Sequence, residues 1–478
     1  MISHKGNLQK GLFMIFSSYE FIFLFLPIVF CGYFLLNKFK FFSLAKVLLV
    51  LSSLIFYWFG SPQFTIVFIA SIIGNYGCGK ALNNFPQGLK KTFTLVTGIL
   101  LNVLLLGYYK YTNFIITNVN YLGNKSFDAL DIILPIGISF FTFQLIAYLV
   151  DSSQGKTGHY SFVDYLLFIT FFPQLIVGPI VHHSDVVDQY HDIEKKCINI
   201  DNINRGLFLF SVGCFKKIFL ADPLSSWGAE GVLGFESLSF IEAWFTSLSY
   251  TFAYYFDLSS YADMAIGLGL LFNINIPINF NSPYKATNFA DYWKRWHMTL
   301  SRFLGDYLFR SIWKRVNHSK FWFYTCTFIT FFVSGIWHGA GWNFVLWGII
   351  NGILVILSHT YLRSHFRLPI WICWPITFAF VNMLWILFVS PSIGTAFVFI
   401  SKMFDFSNIQ FSQLYYATPR QLIYLLVSFV IVLILPNTNQ IMNKSFRHSF
   451  RYSIATCIFL FSAVLYMAEP ADFLYFKF

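Results

Sequence analysis

Charge is what this chain has least of. Only 11% of its 478 residues are Asp, Glu, Lys or Arg, against 57% hydrophobic, whereas about a quarter of a soluble domain is charged. That excludes a soluble globular protein of this length. Cysteine is sparse as well. The seven, at positions 31, 78, 197, 214, 326, 373 and 457, are scattered, with no C-x-x-C pair and no metal-ligand spacing. Disulfides and a zinc site are therefore not expected, and no metal is assigned. The chain has no P-loop, no dinucleotide glycine fingerprint, no H-E-x-x-H and no G-x-S-x-G elbow. Nothing points to ATP-driven transport, redox work or a covalent serine intermediate. Low-complexity linkers, tandem repeats and a second soluble domain are missing too.

What is present is apolar sequence in continuous runs. A helical span takes about 20 apolar residues, so the length accommodates roughly 10 to 13 spanning or re-entrant helices. The runs do not alternate, which selects helices over a barrel. The expected fold is an all-α polytopic membrane protein. Aromatic residues reach 21%, with 62 Phe, which suits lipid-facing and tunnel-lining surfaces. The first apolar run lacks an A-x-A-like cleavage site. Residues 1–13 are polar and then mixed, and Met14-Ile15-Phe16-Ser17-Ser18-Tyr19 reads like a natural start. Residues 1–13 are thus expected to be an extension foreign to the native protein, and 14–478 a single integral-membrane domain.

Spans are expected at about Phe21–Leu36, Val47–Phe59, Phe64–Gly79 and Phe93–Tyr109, with Thr112–Asp131 a polar external loop. Lys38, Lys40 and Lys46, then Lys80, Lys90 and Lys91, place two loops inside and the N-terminus outside. Pro135, Gly137, Ser139, Thr142 and Gln144 share one span, which implies a kinked helix facing protein rather than lipid. Phe162–Val181, broken by Pro173, Gly178 and Pro179, reads as a re-entrant hairpin. The segment after it holds His182, His183, Asp185, Asp188 and His191. It reads as a solvated loop, with no strong metal motif. Asp257 and Asp263 lie in an apolar context, read as carboxylates that accept local hydrogen bonds and hold a break between helices. Later spans are expected at about Phe240–Phe256, Asn343–Leu357, Leu368–Val389, Gln421–Leu435 and Tyr452–Met467.

Net charge is +11, and residues 277–320 hold eight cations against two carboxylates. One reading is the positive-inside rule; the other is a site for a polyanionic ligand. Both predict a cytoplasmic face. The setting among spans argues against nucleic acid. On a helix over Trp293–Ser311, the side chains of Trp293, Trp296, Leu300, Phe303, Leu304 and Tyr307 fall on one face, with Arg295, Arg302 and Asp306 opposite. His297 lies at the edge of the aromatic face, either a packed residue bonded to a neighbour or a functional one. His338 sits in Ser334-Gly335-Ile336-Trp337-His338-Gly339-Ala340-Gly341-Trp342, deep in an apolar run. An ionisable group there is costly and usually functional. The flanking glycines permit close approach of another backbone or a ligand. A neutral imidazole in a dry cleft is what a general base requires, and the alternative is a satisfied core histidine.

Taken together, several stretches resemble the membrane-bound O-acyltransferase family, in its bacterial branch that includes alginate O-acetyltransferase. They are Phe16–Phe21, Pro135–Phe143, Phe171–Gln174, Gly178–Ile180, Tyr255–Asp257, Tyr261–Gly267, Asn279–Tyr284, Trp293–Ser301, Gly335–Trp342 and Phe473–Phe478. Ser260-Tyr261-Ala262 departs from that family's Gly-Tyr-Ser. The resemblance implies a many-helix fold around a tunnel, where a cytosolic acyl thioester such as acetyl-coenzyme A meets an acceptor hydroxyl from the far side. It matches His338 to the catalytic histidine and His297 to the second histidine. It implies O-acetylation of alginate or another extracytoplasmic polysaccharide, through a periplasmic or extracellular transferase partner, by a multi-pass protein of the bacterial inner membrane. Peptidoglycan O-acetylation and teichoic acid D-alanylation are alternatives, as is a polysaccharide exporter without covalent chemistry. For an acetyl-coenzyme A donor, Lys294, Arg295, Arg302, Lys314 and Arg315 are the expected phosphate partners.

Overall fold

The computed structural model describes residues 14–158, 160–365, 368–411, 414–446, 449–467 and 474. The expected extension 1–13, and Phe473–Phe478 apart from Leu474, lie outside the described residues. Among the described residues all regular structure is helical. The first four helices are α1 (Leu26–Lys38), α2 (Phe42–Gly60), α3 (Thr65–Asn84) and α4 (Leu89–Gly123). They present a lipid-type surface: Ile28, Leu51, Ile66 and Leu104 are all more than half exposed, which an apolar surround makes favourable. Among the described residues six helices are long and apolar enough to cross a membrane, or seven if one bent pair counts as a span. Three shorter apolar helices accompany them. The protein is a multi-pass helical membrane protein.

The 35-residue α4 runs through most of the expected external loop and ends only at Gly123. Thr112–Asn118 continue the helix because each turn keeps its i→i−4 bonds, and Thr112, Thr117 and Asn118 bond back to the preceding turn. At 1.5 Å per residue α4 exceeds the roughly 30 Å hydrocarbon thickness. It is therefore too long to lie wholly within the hydrocarbon if it stands upright.

Helix α5 (Ile138–Ser153) starts at Gly137, whose φ of 74° needs a glycine, and buries every residue from Ile138 to Leu145. It faces protein, as its polar residues required. Then α6 (Phe162–Thr170) and α7 (Phe172–Leu175) are broken at Phe171 and are buried throughout from Leu167. Next come α8 (His183–Val186), α9 (Ile200–Lys216), α10 (Asp222–Leu233) and the 32-residue α11 (Phe240–Leu271). Two expectations are corrected here. His182 and His183 are buried rather than solvated, because His183 is clamped between the Asp151 carboxylate (3.0 Å) and the Tyr160 hydroxyl (2.6 Å). Asp257 and Asp263 do not mark a helix break, since α11 runs unbroken past both. They are ion-paired instead, to Lys217 and Lys216, each at 2.8 Å. Asp257 also accepts the Leu474 N–H (2.9 Å), tying Leu474 to α11.

The chain then enters a run of short pieces: α12 (Phe289–Trp293), α13 (Met298–Phe303), a π-helical turn Leu304–Phe309 and α14 (Arg310–Trp313). Beyond them lie α15 (Lys320–His338), α16 (Trp342–Arg363), α17 (Ile370–Val389), α18 (Ile393–Met403), α19 (Pro419–Leu433), α20 (Thr438–Gln440) and α21 (Phe450–Leu465). Two large aromatic cores result. One is built on α1–α6 and includes Trp337. The other is built on α11–α12 and α16–α19 and includes Trp293, Trp296, Phe344, Trp347 and Phe388.

Candidate active site

The expected helix over Trp293–Ser311 is interrupted. After α12 the chain turns at Lys294–Trp296, and His297 takes a left-handed conformation (φ 45°, ψ 52°) before α13 begins. For a residue with a Cβ this is uncommon and strained, and such strain concentrates at functional sites. The cause is a partner remote in sequence. Asn279 accepts the Met298 N–H at its backbone oxygen (2.9 Å). Its side-chain Oδ1 accepts both the N–H and the hydroxyl of Thr299 (3.2 and 2.9 Å). The same oxygen lies 3.2 Å from His297 Nδ1. Because that atom accepts a backbone N–H it is the amide oxygen, so Nδ1 carries the ring proton and donates. The tautomer is thereby set, with the lone pair on Nε2. Burial disfavours the charged form of His297 and lowers its pKa, which keeps the ring neutral. Sequence reasoning did not single out Asn279; its only signal was the stretch Asn279–Tyr284.

His338 is the last residue of α15. The α15–α16 crossing is as close as its glycines allow. A Cβ on Gly335 would stand 2.5 Å from the Phe344 carbonyl and 2.8 Å from Gly348 Cα, and one on Gly339 would meet the Phe344 ring at 2.1 Å. The His338 ring is boxed edge-on by Trp337, Trp347 and Phe388, with centroids 4.9, 5.1 and 5.3 Å away. His297 also neighbours this wall, with ring centroids 6.5 Å from Trp337 and 6.4 Å from Phe140. Both imidazoles are buried. They lie in the seam between the two cores, and both rings contact Trp337.

A second feature connects to this pair. A polar cavity of about 380 Å³ is lined by Asp151, Lys156, His182, Arg302, Tyr307, Arg310 and Lys314, among others. Arg302 bonds Asp185 (2.9 Å), Arg310 bonds Asp306 (2.7 Å) and Lys156 bonds Asp151 (3.2 Å). His182 is 94% buried, taking its 6% exposure, and its Nε2 has no hydrogen-bond partner among the described residues. Burial, reinforced by the Arg302 guanidinium, lowers its pKa. From His182 a column of rings leads inward. Tyr307 follows at 5.4 Å, Phe303 at 4.9 Å, Phe143 at 4.3 Å and Trp337 at 4.9 Å, and Trp337 touches His338.

Of the five expected phosphate partners, Arg302 and Lys314 meet in the polar cavity. Lys294 lines a separate, mainly apolar cavity of about 370 Å³. Arg295 is paired with Asp291 (3.0 Å), and Arg315 is exposed and lines neither cavity. Sequence reasoning missed Lys156, Arg310 and His182 as members of one polar site. Lys156 and His182 are more than a hundred residues before Arg302, and no periodicity relates them.

A buried imidazole pair at the seam, with a polar chamber in line, is competent for general-base activation of a hydroxyl. Comparison with known proteins agrees with that chemistry. The family model described as "MBOAT, membrane-bound O-acyltransferase family" matches residues 12–400. The chain is 40% identical over 445 residues to a peptidoglycan O-acetyltransferase of Helicobacter pylori, covering 87% of this chain and 84% of the relative. It is 33% identical over 410 residues to a probable alginate O-acetylase of Pseudomonas aeruginosa, covering 84% and 77%. A teichoic acid D-alanyltransferase of Streptococcus thermophilus is more distant, 25% identical over 248 residues, covering 48% and 58%. The chain belongs to the membrane-bound O-acyltransferase family and is an acyltransferase.

Proposed function

We propose that this acyltransferase moves an acetyl group from cytosolic acetyl-coenzyme A to a hydroxyl of an extracytoplasmic polysaccharide, directly or by way of an extracytoplasmic partner transferase. The observation that carries the reading is the line from the polar cavity, through the ring column, to the two buried imidazoles. In this reading His338 takes the proton of the acceptor hydroxyl, and His297, its tautomer set by Asn279, orients the reacting groups through Nε2. The acceptor oxygen bonds to the acyl carbon while the thioester C–S bond breaks. The proton leaves with the thiol, and the walls of Trp337, Trp347 and Phe388 keep out water that would hydrolyse the thioester.

The donor's phosphates are assigned to the polar cavity. Arg302, Lys314, Lys156 and Arg310 supply positive charge, and the buried Nε2 of His182, which no described residue satisfies, supplies a donor or acceptor for a ligand atom. Counting spans from Lys38, Lys40, Lys90 and Lys91 puts the C-terminal end of α5, with Asp151 and Lys156, on the cytoplasmic side. That fits a donor entering there and a protein of the inner membrane. The 40% identity to the peptidoglycan enzyme favours peptidoglycan as the acceptor. The alginate-type relatives at 33% identity support an exopolysaccharide as the second reading. The test supplies radiolabelled acetyl-coenzyme A to membranes containing the protein, with purified peptidoglycan or alginate and the partner transferase from the same gene neighbourhood. Base-labile label in one polymer identifies the acceptor. Label in neither, with the donor intact, refutes the proposal.

A further inference from the structure

Helix α15 ends on His338, so its last carbonyls have no partner within the helix. An orphaned carbonyl in an apolar setting costs free energy, and an unheld last turn frays. Here three consecutive carbonyls are held, all from one remote helix. Lys110 of α4 donates from Nζ to the oxygens of Trp337 (2.7 Å) and His338 (2.8 Å). The next residue, Tyr111, donates its hydroxyl to the Ile336 oxygen. The Lys110 ammonium also lies 5.9 Å from the centre of the Trp337 ring, the wall shared by the two imidazoles. Two turns further along α4, Asn118 accepts the indole N–H of Trp342 (2.8 Å), and Phe114 packs edge-on against the same ring at 5.8 Å. The turn from Ile336 to Trp342 is therefore gripped at both ends by the outer half of α4.

A lysine within an apolar helix is expensive, and its charge is best placed against the negative end of a helix dipole. Lys110 meets that end at the backbone of the proposed base itself. A cap made by a neutral hydroxyl would satisfy one carbonyl. A three-donor ammonium satisfies two at once and fixes the spacing between them.

We propose that Lys110 is a positioning residue of the transfer reaction: by binding the Trp337 and His338 carbonyls it sets where the His338 imidazole stands. The proposal rests on the reading of His338 as the base. Lys110 does not touch substrate, so its loss acts on the rate of the chemical step and not on donor binding. A displacement of about 1 Å in a reacting group costs on the order of 10²-fold in rate.

The experiment compares wild type, Lys110→Met, Lys110→Gln, Lys110→Arg and His338→Ala in the labelled acetyl-coenzyme A assay. Each is first checked for detergent-stable, monodisperse protein at normal yield. Lys110→Met is expected to lower kcat by about 10²-fold while its KM for acetyl-coenzyme A stays within about twofold of wild type. Lys110→Gln keeps N–H donors without the charge and is expected to fall between. Lys110→Arg, which restores a multidentate cation, is expected to recover most of kcat. Should Lys110→Met be too unstable to assay, Gln and Arg decide the matter by the same ordering. Wild-type kcat in Lys110→Met or Lys110→Gln, beside an inactive His338→Ala, overturns the positioning role alone. An arginine variant no better than glutamine, or kcat and KM lost in proportion, also overturns it. Full activity in His338→Ala overturns the catalytic reading and this inference together.

Discussion

The α15–α16 crossing offers a graded steric test of how tightly the site is positioned. In Gly335→Ala the new Cβ would stand 2.5 Å from the Phe344 oxygen and 2.8 Å from Gly348 Cα. Both are backbone atoms, so no side chain can swing aside. Against the 3.4 Å of ordinary contact the deficit is about 0.9 Å, which must be met by separating the helices or rotating α15. Overpacking of this kind costs about 1–3 kcal/mol of stability. The same shift is delivered to His338, less than one turn away, and a displacement near 1 Å costs on the order of 10²-fold in rate. Gly348→Ala, 2.7 Å from the Phe331 oxygen, is expected to match it. Gly352→Ala, whose nearest atom is a Cβ at 3.3 Å, should lose little, and Gly305→Ala, with nothing within 4 Å, should be indistinguishable from wild type. The assay is the initial rate of label transfer per mole of folded protein, with thermal unfolding measured in parallel. A wild-type rate in Gly335→Ala, or an equal loss in Gly305→Ala, would refute the reasoning.

Three further outcomes are expected. Asp257→Ala removes one of the carboxylates that hold the buried Lys217 ammonium and orphans the Leu474 N–H. It should destabilise the fold by about 3–5 kcal/mol, read by thermal unfolding, while Lys217→Met/Asp257→Leu recovers most of that. His182 has a depressed pKa in the folded protein. Its stabilising contribution is complete above the ordinary histidine value of about 6.5 and is lost as pH falls through the lower folded value. The melting temperature of wild type should accordingly drop more between pH 7 and pH 5 than that of His182→Gln. Charge reversal at Arg302 together with Lys314 should raise the KM for acetyl-coenzyme A at least tenfold, whereas reversal of Arg315 should leave it unchanged. An unaltered KM in the double variant would remove the donor phosphates from the polar cavity.

Much of the membrane architecture was legible because lipid forces it. Continuous apolar runs gave α1–α3, α16 and α17 with boundaries shifted by a few residues. The polar residues of α5 announced a helix that avoids lipid. Gly335 and Gly339 announced close approach, and the structure supplies the approaching Phe344. Elements fixed by remote partners were not legible. The spacing of Trp293, Trp296 and Leu300 fits one helix equally well with or without the turn at His297, and that turn is imposed by Asn279, 18 residues upstream. Asp257 and Asp263 suggested a break because their partners, Lys217 and Lys216, lie 40 and 47 residues away. The cations of 285–320 looked like one cluster, yet the breaks between α12 and α14 turn Lys294 and Arg302 toward different cavities. Lys110 passed unnoticed because nothing local says whether a lysine near the end of an apolar run seeks water or another helix's carbonyls.

Whether the buried histidine at the end of α15 serves acyl transfer is decided by one comparison. Membranes with wild type or His338→Ala, at equal folded amounts, receive radiolabelled acetyl-coenzyme A and the acceptor polymer. Label is expected in the polymer for wild type, with a loss of about 10²–10⁴-fold for the variant, the range of a general base. Equal label from both would make His338 a packing residue and contradict the account.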